Sequence, residues 1–199
     1  MEKLFDHYWN TIGEDQDLQK IRMNKHFDKL DEYLRLQIDS ECVLEDNIPG
    51  KYRYSKRWDV HFPDKRVAIE YKTMTAKSVC VNRNNRVEEA LGSSVDLKNR
   101  HPDYKLGYFM LYAFSPLETI RETSYVSRNR MVEGLTQLHK DGYYDFLCII
   151  QTNGIGSHEV IGEYGLEQFV EGINNVEGGH QSSLEMFFLS ETPLYCAKG

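Results

Sequence analysis

The chain has 199 residues, of which 40% are apolar and 12% aromatic, and its formal net charge is −7. This length and composition predict one folded domain and exclude a disordered chain, and no run of 18 apolar residues is present to cross a bilayer. The first residues lack the basic-then-apolar order of a secretory signal, so we expect a cytoplasmic protein. The charge is unevenly distributed: residues 51–105 contain 13 Lys or Arg against 7 Asp or Glu, a local excess of +6. The negative net charge therefore does not exclude a nucleic-acid partner that binds this basic part.

The first predicted element is a long amphipathic helix over residues 16–42, whose apolar residues fall on one helical stripe. An exposed connector with a turn at Pro49-Gly50 follows. Two strands, over residues 58–62 and 66–73, are separated by Pro63 and Asp64, which suit a tight turn. The sequence therefore predicts a β-hairpin after the N-terminal helix.

The second half alternates helices and strands. Residues 84–100 predict a helix capped by Asn85, with Glu88 three residues on to complete a capping box. A strand over 105–114, a helix over 125–140 and a strand over 143–152 follow, and residues 152–160 are expected to form a loop. We predict a single α/β domain: a helical N-terminal part (1–45), a core with a mixed sheet flanked by helices (51–150), and a C-terminal part of undefined role (151–199).

Charged residues interrupt the predicted strand "RVAIEYKT". Because side chains alternate along a strand, Glu70 and Lys72 share one face, and Asp59 on the neighbouring hairpin strand reaches the same place if it pairs near Glu70. An acid, ten residues, a second acid, one residue and a lysine is the pattern of the PD-(D/E)xK nucleases. The pattern predicts a restriction-endonuclease-like core.

Each residue of this pattern has a chemical reason. Mg²⁺ prefers carboxylate oxygens, so Asp59 and Glu70 are the predicted metal ligands. The ammonium of Lys72 would orient water or stabilise charge that develops on the phosphate. Together they predict hydrolysis of a phosphodiester that leaves a 5′-phosphate and a 3′-hydroxyl.

A structural alternative stays open, in which Glu70 and Lys72 form an ordinary cross-strand salt bridge on a half-solvated sheet. A second acid-x-Lys pattern, Asp96 with Lys98, falls in a predicted helix, where residues i and i+2 point in different directions. We therefore place the site at the first copy. Glu32 and Glu41 on the N-terminal helix could lean over the site as auxiliary ligands, but residues of this type are usually solvent-exposed, and we do not include them in the site.

Five blocks of the sequence, "KRWDV", "AIEYK", "NNRVEEALGSSVDL", "LGYFMLYAFSP" and "DGYYDFLCII", resemble the XhoI-type type II restriction endonucleases over about residues 56–150. The resemblance implies Mg²⁺-dependent, sequence-specific cleavage of double-stranded DNA by a homodimer; the palindrome of the XhoI type is CTCGAG. It places Asp59, Glu70 and Lys72 at the family's two acids and lysine. Trp58 stands where the wider pattern has a proline.

The flanks of this pattern contain basic and amide side chains suited to DNA contact. The candidates are Lys56, Arg57, Lys77, Arg83, Asn84 and Arg86. A nuclease of this kind would need a companion DNA methyltransferase, encoded nearby, to protect the host chromosome. Two other functions stay open: a non-cleaving DNA- or partner-binding subunit with the same fold, and a structure-selective repair or recombination nuclease.

Overall fold

A computed structural model describes residues 4–6, 9, 27–114 and 120–178. A six-stranded mixed sheet forms its centre, with its strands side by side in chain order. β1, β2 and β3 are antiparallel neighbours, β3, β4 and β5 run parallel, and β6 is antiparallel to β5. The strands are β1 (Val43–Ile48), β2 (Lys56–Phe62), β3 (Val67–Thr75), β4 (Lys105–Ala113), β5 (Phe146–Gly154) and β6 (Ser157–Val160).

Within residues 27–114 and 120–178, helices cover the two faces of the sheet: α1 (Asp28–Gln37), α2 (Ala76–Arg100), α3 (Glu122–Lys140) and α4 (Leu166–Asn174). Helices α2 and α3 are the crossovers that parallel strands require, and their apolar residues share one core layer. Helices α1 and α4 pack in the other layer. The predicted α/β class with a mixed, helix-flanked sheet is confirmed. No helix of the described residues is both long and apolar enough to cross a membrane.

The predicted hairpin is confirmed as β2 and β3, which pair from Val60 with Ile69 to Phe62 with Val67. A short 3₁₀ turn, Pro63–Lys65, joins them, and Arg66 leaves the turn with a φ of 52°. The two elements of the charged pattern are therefore adjacent strands.

The prediction for the N-terminal helix was wrong at its end. Residues 16–26 lie outside the described part, and α1 ends at Gln37 rather than at residue 42. Residues 43–48, which fall at the end of the predicted helical part (1–45) and in the predicted connector, form β1 on the edge of the sheet. Pairing with β2 decides their conformation, which local helical periodicity cannot anticipate.

The start of α2 was also misplaced. The helix begins at Ala76, and Thr75 caps it: the Ser78 amide donates to Thr75 Oγ1 at 3.2 Å, and the Thr75 amide donates to Ser78 Oγ at 2.8 Å. This is a capping box with serine in place of the usual Glu or Gln. Asn85 and Glu88 lie exposed inside the helix and cap nothing.

The prediction of a loop over residues 152–160 was wrong: β5 continues to Gly154, a tight turn follows, and Ser157–Val160 forms β6. The helix α4 over 166–174 was not predicted.

Candidate active site

Asp59 lies where β2 and β3 separate. The described ladder between the two strands stops at the pair of Val60 and Ile69, and the next bond comes from the Tyr71 amide, which donates to Asp59 Oδ2 at 2.7 Å. The alternation along β2 breaks at the same point, since Trp58 and Val60 pack in opposite core layers. Burial raises the pKa of the Asp59 carboxyl, a shift that the Tyr71 hydrogen bond and Lys72 oppose.

Glu70 is the most buried charge of the site, at 1% exposure. Its Oε1 accepts from Lys72 Nζ at 2.7 Å and from Lys56 Nζ at 3.1 Å. Its Oε2 is buried and has no hydrogen-bond partner among the described residues. The nearby hydroxyl of Tyr144 donates instead to the Ala90 carbonyl. One oxygen of Glu70 is therefore neutralised by lysines, and the other is available.

Lys72 contacts a third acidic residue, Glu89, which is not one of the two acids of the pattern. Its Nζ lies 3.6 Å from Glu89 Oε1 on α2, in addition to its contact with Glu70. Burial opposes the charged form of Lys72, but Glu70, Glu89 and Asp59 outweigh it and raise its pKa. The ammonium is therefore retained at neutral pH inside the site.

The sequence also allowed Glu70 and Lys72 to form an ordinary, half-exposed salt bridge. The burial of these two side chains in the structure does not fit that alternative. Glu70 pairs with Lys72 on its own strand and with Lys56 on the neighbouring strand, and the side chains of these lysines are only 15% and 12% exposed. A buried carboxylate with two ammonium partners carries a desolvation cost that an exposed pair does not. The charges are thus embedded between sheet and α2.

A cleft of about 530 Å³ opens beside Asp59 and Lys72 and is closed on one side by α1. Asp31 of α1 lines it, and its buried Oδ1 has no hydrogen-bond partner among the described residues. Burial, together with Asp28 and Asp59, raises the pKa of Asp31 to about 6, against the opposing effects of the Tyr71 hydroxyl and Arg35. A larger cleft of about 810 Å³, at the start of β4 and β5, contains none of the three pattern residues.

Asp31→Asn should stabilise the protein at pH 7.5 in EDTA by about 1 kcal/mol, after allowance for screening by water. A carboxyl whose folded-state pKa is raised supports folding while protonated, so this contribution is present below pH about 4 and is lost as the pH rises through 6. Urea unfolding at pH 4.5 and 7.5 measures the difference, and the gain should be much smaller at the lower pH. Asp28→Asn, exposed on the same helix, is the matched control. Equal stability of Asp31→Asn and wild type at pH 7.5 would contradict this assignment.

Glu89 and Asp31 are the acidic residues of the site that the sequence interpretation left out. From the sequence, Glu88 and Glu89 are candidates for a further metal ligand, but as acids in the first turn of a predicted helix they favour a capping and dipole role. Glu32, the candidate from the N-terminal helix, is exposed and pairs with Lys29. A signal for Asp31 was present, because it stands four residues after Phe27 on the apolar stripe of the helix. A charge on a buried stripe is costly and points to a site.

The structure divides the six predicted DNA-contact residues into two groups. Lys56 is part of the site itself, Arg83 donates to Ser127 on α3, and Arg86 pairs with Glu89. Arg57, Lys77 and Asn84 are exposed, and Arg57 forms an exposed ion pair with Glu45. The roles of all six in DNA contact stay predictions.

The second acid-x-Lys pattern forms no site. The Asp96 carboxylate accepts from the Tyr52 amide at 2.6 Å, whereas Lys98 Nζ lies 2.9 Å from Asp145. The two side chains diverge, as expected for residues i and i+2 of a helix.

The residues of the site fit a divalent cation through the free oxygen of Glu70. Carboxylate oxygens are the donors that Mg²⁺ prefers, and the buried, unpaired Oε2 would gain a partner. Within the described residues no three His, Cys, Asp or Glu side chains are grouped closely enough to hold a metal by themselves. Such a cation would therefore take further ligands from substrate phosphate and water, as is usual for Mg²⁺.

The fold and site together are typical of the restriction-endonuclease-like α/β proteins: a mixed sheet in which two acids and a lysine meet where two strands separate. Residues 34–119 match the family Restriction endonuclease XhoI. The predicted resemblance to the XhoI-type enzymes is confirmed, although the match begins earlier and ends earlier than residues 56–150.

Two individual proteins are similar to the chain. The Type II restriction enzyme BstVI of Geobacillus stearothermophilus is 36% identical over 90 residues, which cover 37% of this chain and 40% of that enzyme. The chain thus spans less than half the length of this curated relative. The structure of Pyrococcus furiosus SfsA in complex with Ca²⁺ is similar over 71% of this chain and 62% of that one, with 11% identity and a TM-score of 0.34, too low to bear on function.

Proposed function

We propose that the chain is a type II restriction endonuclease that hydrolyses phosphodiester bonds of double-stranded DNA at a specific sequence and requires Mg²⁺. The observation that carries the proposal is Glu70: a buried carboxylate with one oxygen on Lys72 and the other unpaired, inside the segment that matches the XhoI family. The resemblance favours a CTCGAG-like palindrome and products with a 5′-phosphate and a 3′-hydroxyl. The cytoplasm is the compartment where such an enzyme meets DNA.

Each side chain of the site has a separate task in this proposal. Asp59 and Glu70 would hold Mg²⁺, which when bound polarises phosphate oxygens and lowers the pKa of water. Lys72, kept charged by Glu70 and Glu89, would stabilise negative charge that develops on the scissile phosphate. Burial by α1 and α2 strengthens these electrostatic interactions because it limits screening by water.

Incubation of the purified protein with phage DNA and Mg²⁺ tests the proposal. We expect discrete fragments whose sequenced ends share one short palindrome, and no fragments in EDTA. A band shift without cleavage would favour a DNA-binding subunit. Cleavage confined to flaps or junctions would favour a repair or recombination nuclease.

Two partners belong to the proposal. One active site cuts one strand, so cleavage of a palindrome favours an isologous homodimer, which sedimentation on DNA measures. A protein that sediments as a monomer both free and on DNA would contradict the homodimer and point to nicking of one strand.

We also expect a companion methyltransferase to be encoded nearby, because it would protect the host chromosome from cleavage. Harmless expression of the active enzyme in an unmodified host would contradict this expectation.

A further inference from the structure

The loop between β1 and β2 displays an unusual set of side chains. Residues 49–55, here called the basic-aromatic loop, read PGKYRYS, and Lys56 and Arg57 continue the basic run into β2. Tyr54 is 96% exposed and Tyr52 71% exposed. Lys51 and Arg53 are also exposed, and the segment 51–57 contains four basic residues and no acid.

This loop is exposed but firmly attached. The backbone amides of Lys51 and Tyr52 donate to the Asp96 carbonyl at 3.1 Å and to its carboxylate at 2.6 Å. Arg100 donates to the Gly50 carbonyl at 3.2 Å. A Cβ at residue 50 would overlap the Asp96 carboxylate, so only glycine permits this approach. The backbone is thus fixed while the side chains of Lys51, Tyr52 and Tyr54 are exposed.

The loop also lies beside the candidate active site. Arg53 Nη1 is 3.4 Å from Ser93 Oγ on α2, one helical turn after Glu89. At the other end of the loop, Lys56 contacts Glu70 directly. DNA that reaches Glu70 and Lys72 would therefore pass next to the loop.

We propose that the basic-aromatic loop is a DNA-contact surface for the duplex that the enzyme cleaves, an inference that rests on the proposed function. Lys51 and Arg53 would contact phosphates, and Tyr52 and Tyr54 would pack against the sugar and base edges. Charge complementarity favours DNA as the occupant, because the loop is cationic within a chain of net charge −7. The fixed backbone reduces the entropy lost on binding.

Binding of a duplex that contains the cleaved sequence, measured by fluorescence anisotropy in Ca²⁺ over a series of salt concentrations, tests this surface. Lys51→Ala should lower the slope of log K against log salt by about 1, as expected for one lost phosphate contact. Tyr54→Ala should weaken binding about tenfold with little change in slope, since the lost contact is uncharged. Tyr54→Phe separates the ring from the hydroxyl: retained affinity assigns the contact to packing, and a loss like that of Tyr54→Ala assigns it to a hydrogen bond.

Lys140→Ala, an exposed lysine at the end of α3, is the matched control and should bind as wild type does. All these side chains are exposed, so thermal unfolding should stay close to wild type. Wild-type affinity and salt slope in both Lys51→Ala and Tyr54→Ala would overturn the loop proposal while a cleaving wild-type enzyme leaves the proposed function intact. A wild-type protein that binds no duplex would overturn both.

Discussion

Lys72→Ala should lose DNA cleavage by a factor of about 10² to 10⁴ while the protein still folds and binds DNA. Its ammonium lies 2.7 Å from Glu70 and within reach of Glu89, in a site that limits solvent. Lys56, the other ammonium on Glu70, is stacked 4.7 Å from the centre of the Trp58 ring and does not line the cleft that Lys72 lines. Single-turnover cleavage at saturating DNA and Mg²⁺ measures the loss.

Lys105→Ala supplies the matched control for this variant. Lys105 begins the neighbouring strand β4 and also pairs with a carboxylate, Asp145, at 3.2 Å, but lies outside the candidate site. Its removal should leave the cleavage rate within about twofold of wild type, as for most exposed substitutions. Full activity in a folded Lys72→Ala protein would refute the catalytic assignment.

Glu70→Gln should remove metal affinity and cleavage together and also destabilise the metal-free protein by about 3 kcal/mol. The substitution leaves Lys56 and Lys72 without the buried carboxylate that neutralises both. Urea unfolding in EDTA measures the stability, and calorimetric titration with Ca²⁺ measures the metal affinity. Glu32→Gln is the matched control: it removes a carboxylate that pairs with Lys29 on the solvent-exposed surface, so the stability should stay close to that of wild type.

A second substitution separates the two consequences of losing Glu70. Lys56→Met in the Glu70→Gln background removes one of the two buried ammonium groups that have lost their carboxylate partner. The double variant should therefore recover part of the stability and none of the cleavage. A Glu70→Gln protein as stable as wild type, with unchanged Ca²⁺ affinity, would contradict both the buried ion pair and the metal-ligand role.

Asp59→Ala should likewise lose metal affinity. Its affinity for DNA in the absence of metal should rise, because the substitution removes a carboxylate that repels the phosphate.

Local sequence patterns were sufficient to predict secondary structure where a single strand or turn determines the conformation. The hairpin of β2 and β3 follows from Pro63 and Asp64 between two apolar runs, and the strand around Glu70 follows from its β-branched and apolar neighbours. Period-two alternation then places Glu70 and Lys72 on one face without further information.

Local sequence patterns failed to predict the secondary structure where contacts with a distant segment override the local preference. Asn85 and Glu88 have the spacing of a capping box, yet Thr75 and Ser78 provide the cap, because β3 must turn into a helix directly to reach β4 in parallel. Residues 43–48 form a strand because β2 offers a free edge, an interaction absent from their own sequence.

The sequence by itself determined the class of fold and the family resemblance, and it predicted a site at Asp59, Glu70 and Lys72, since these inferences depend on residue type and spacing within a short segment. The tertiary structure alone decided that Glu70 is fully buried, that two lysines share one of its oxygens, and that Asp31 and Glu89 join the site from separate helices. The physical reason is that burial and electrostatic pairing depend on which distant segments pack together, and spacing along the chain does not specify those contacts.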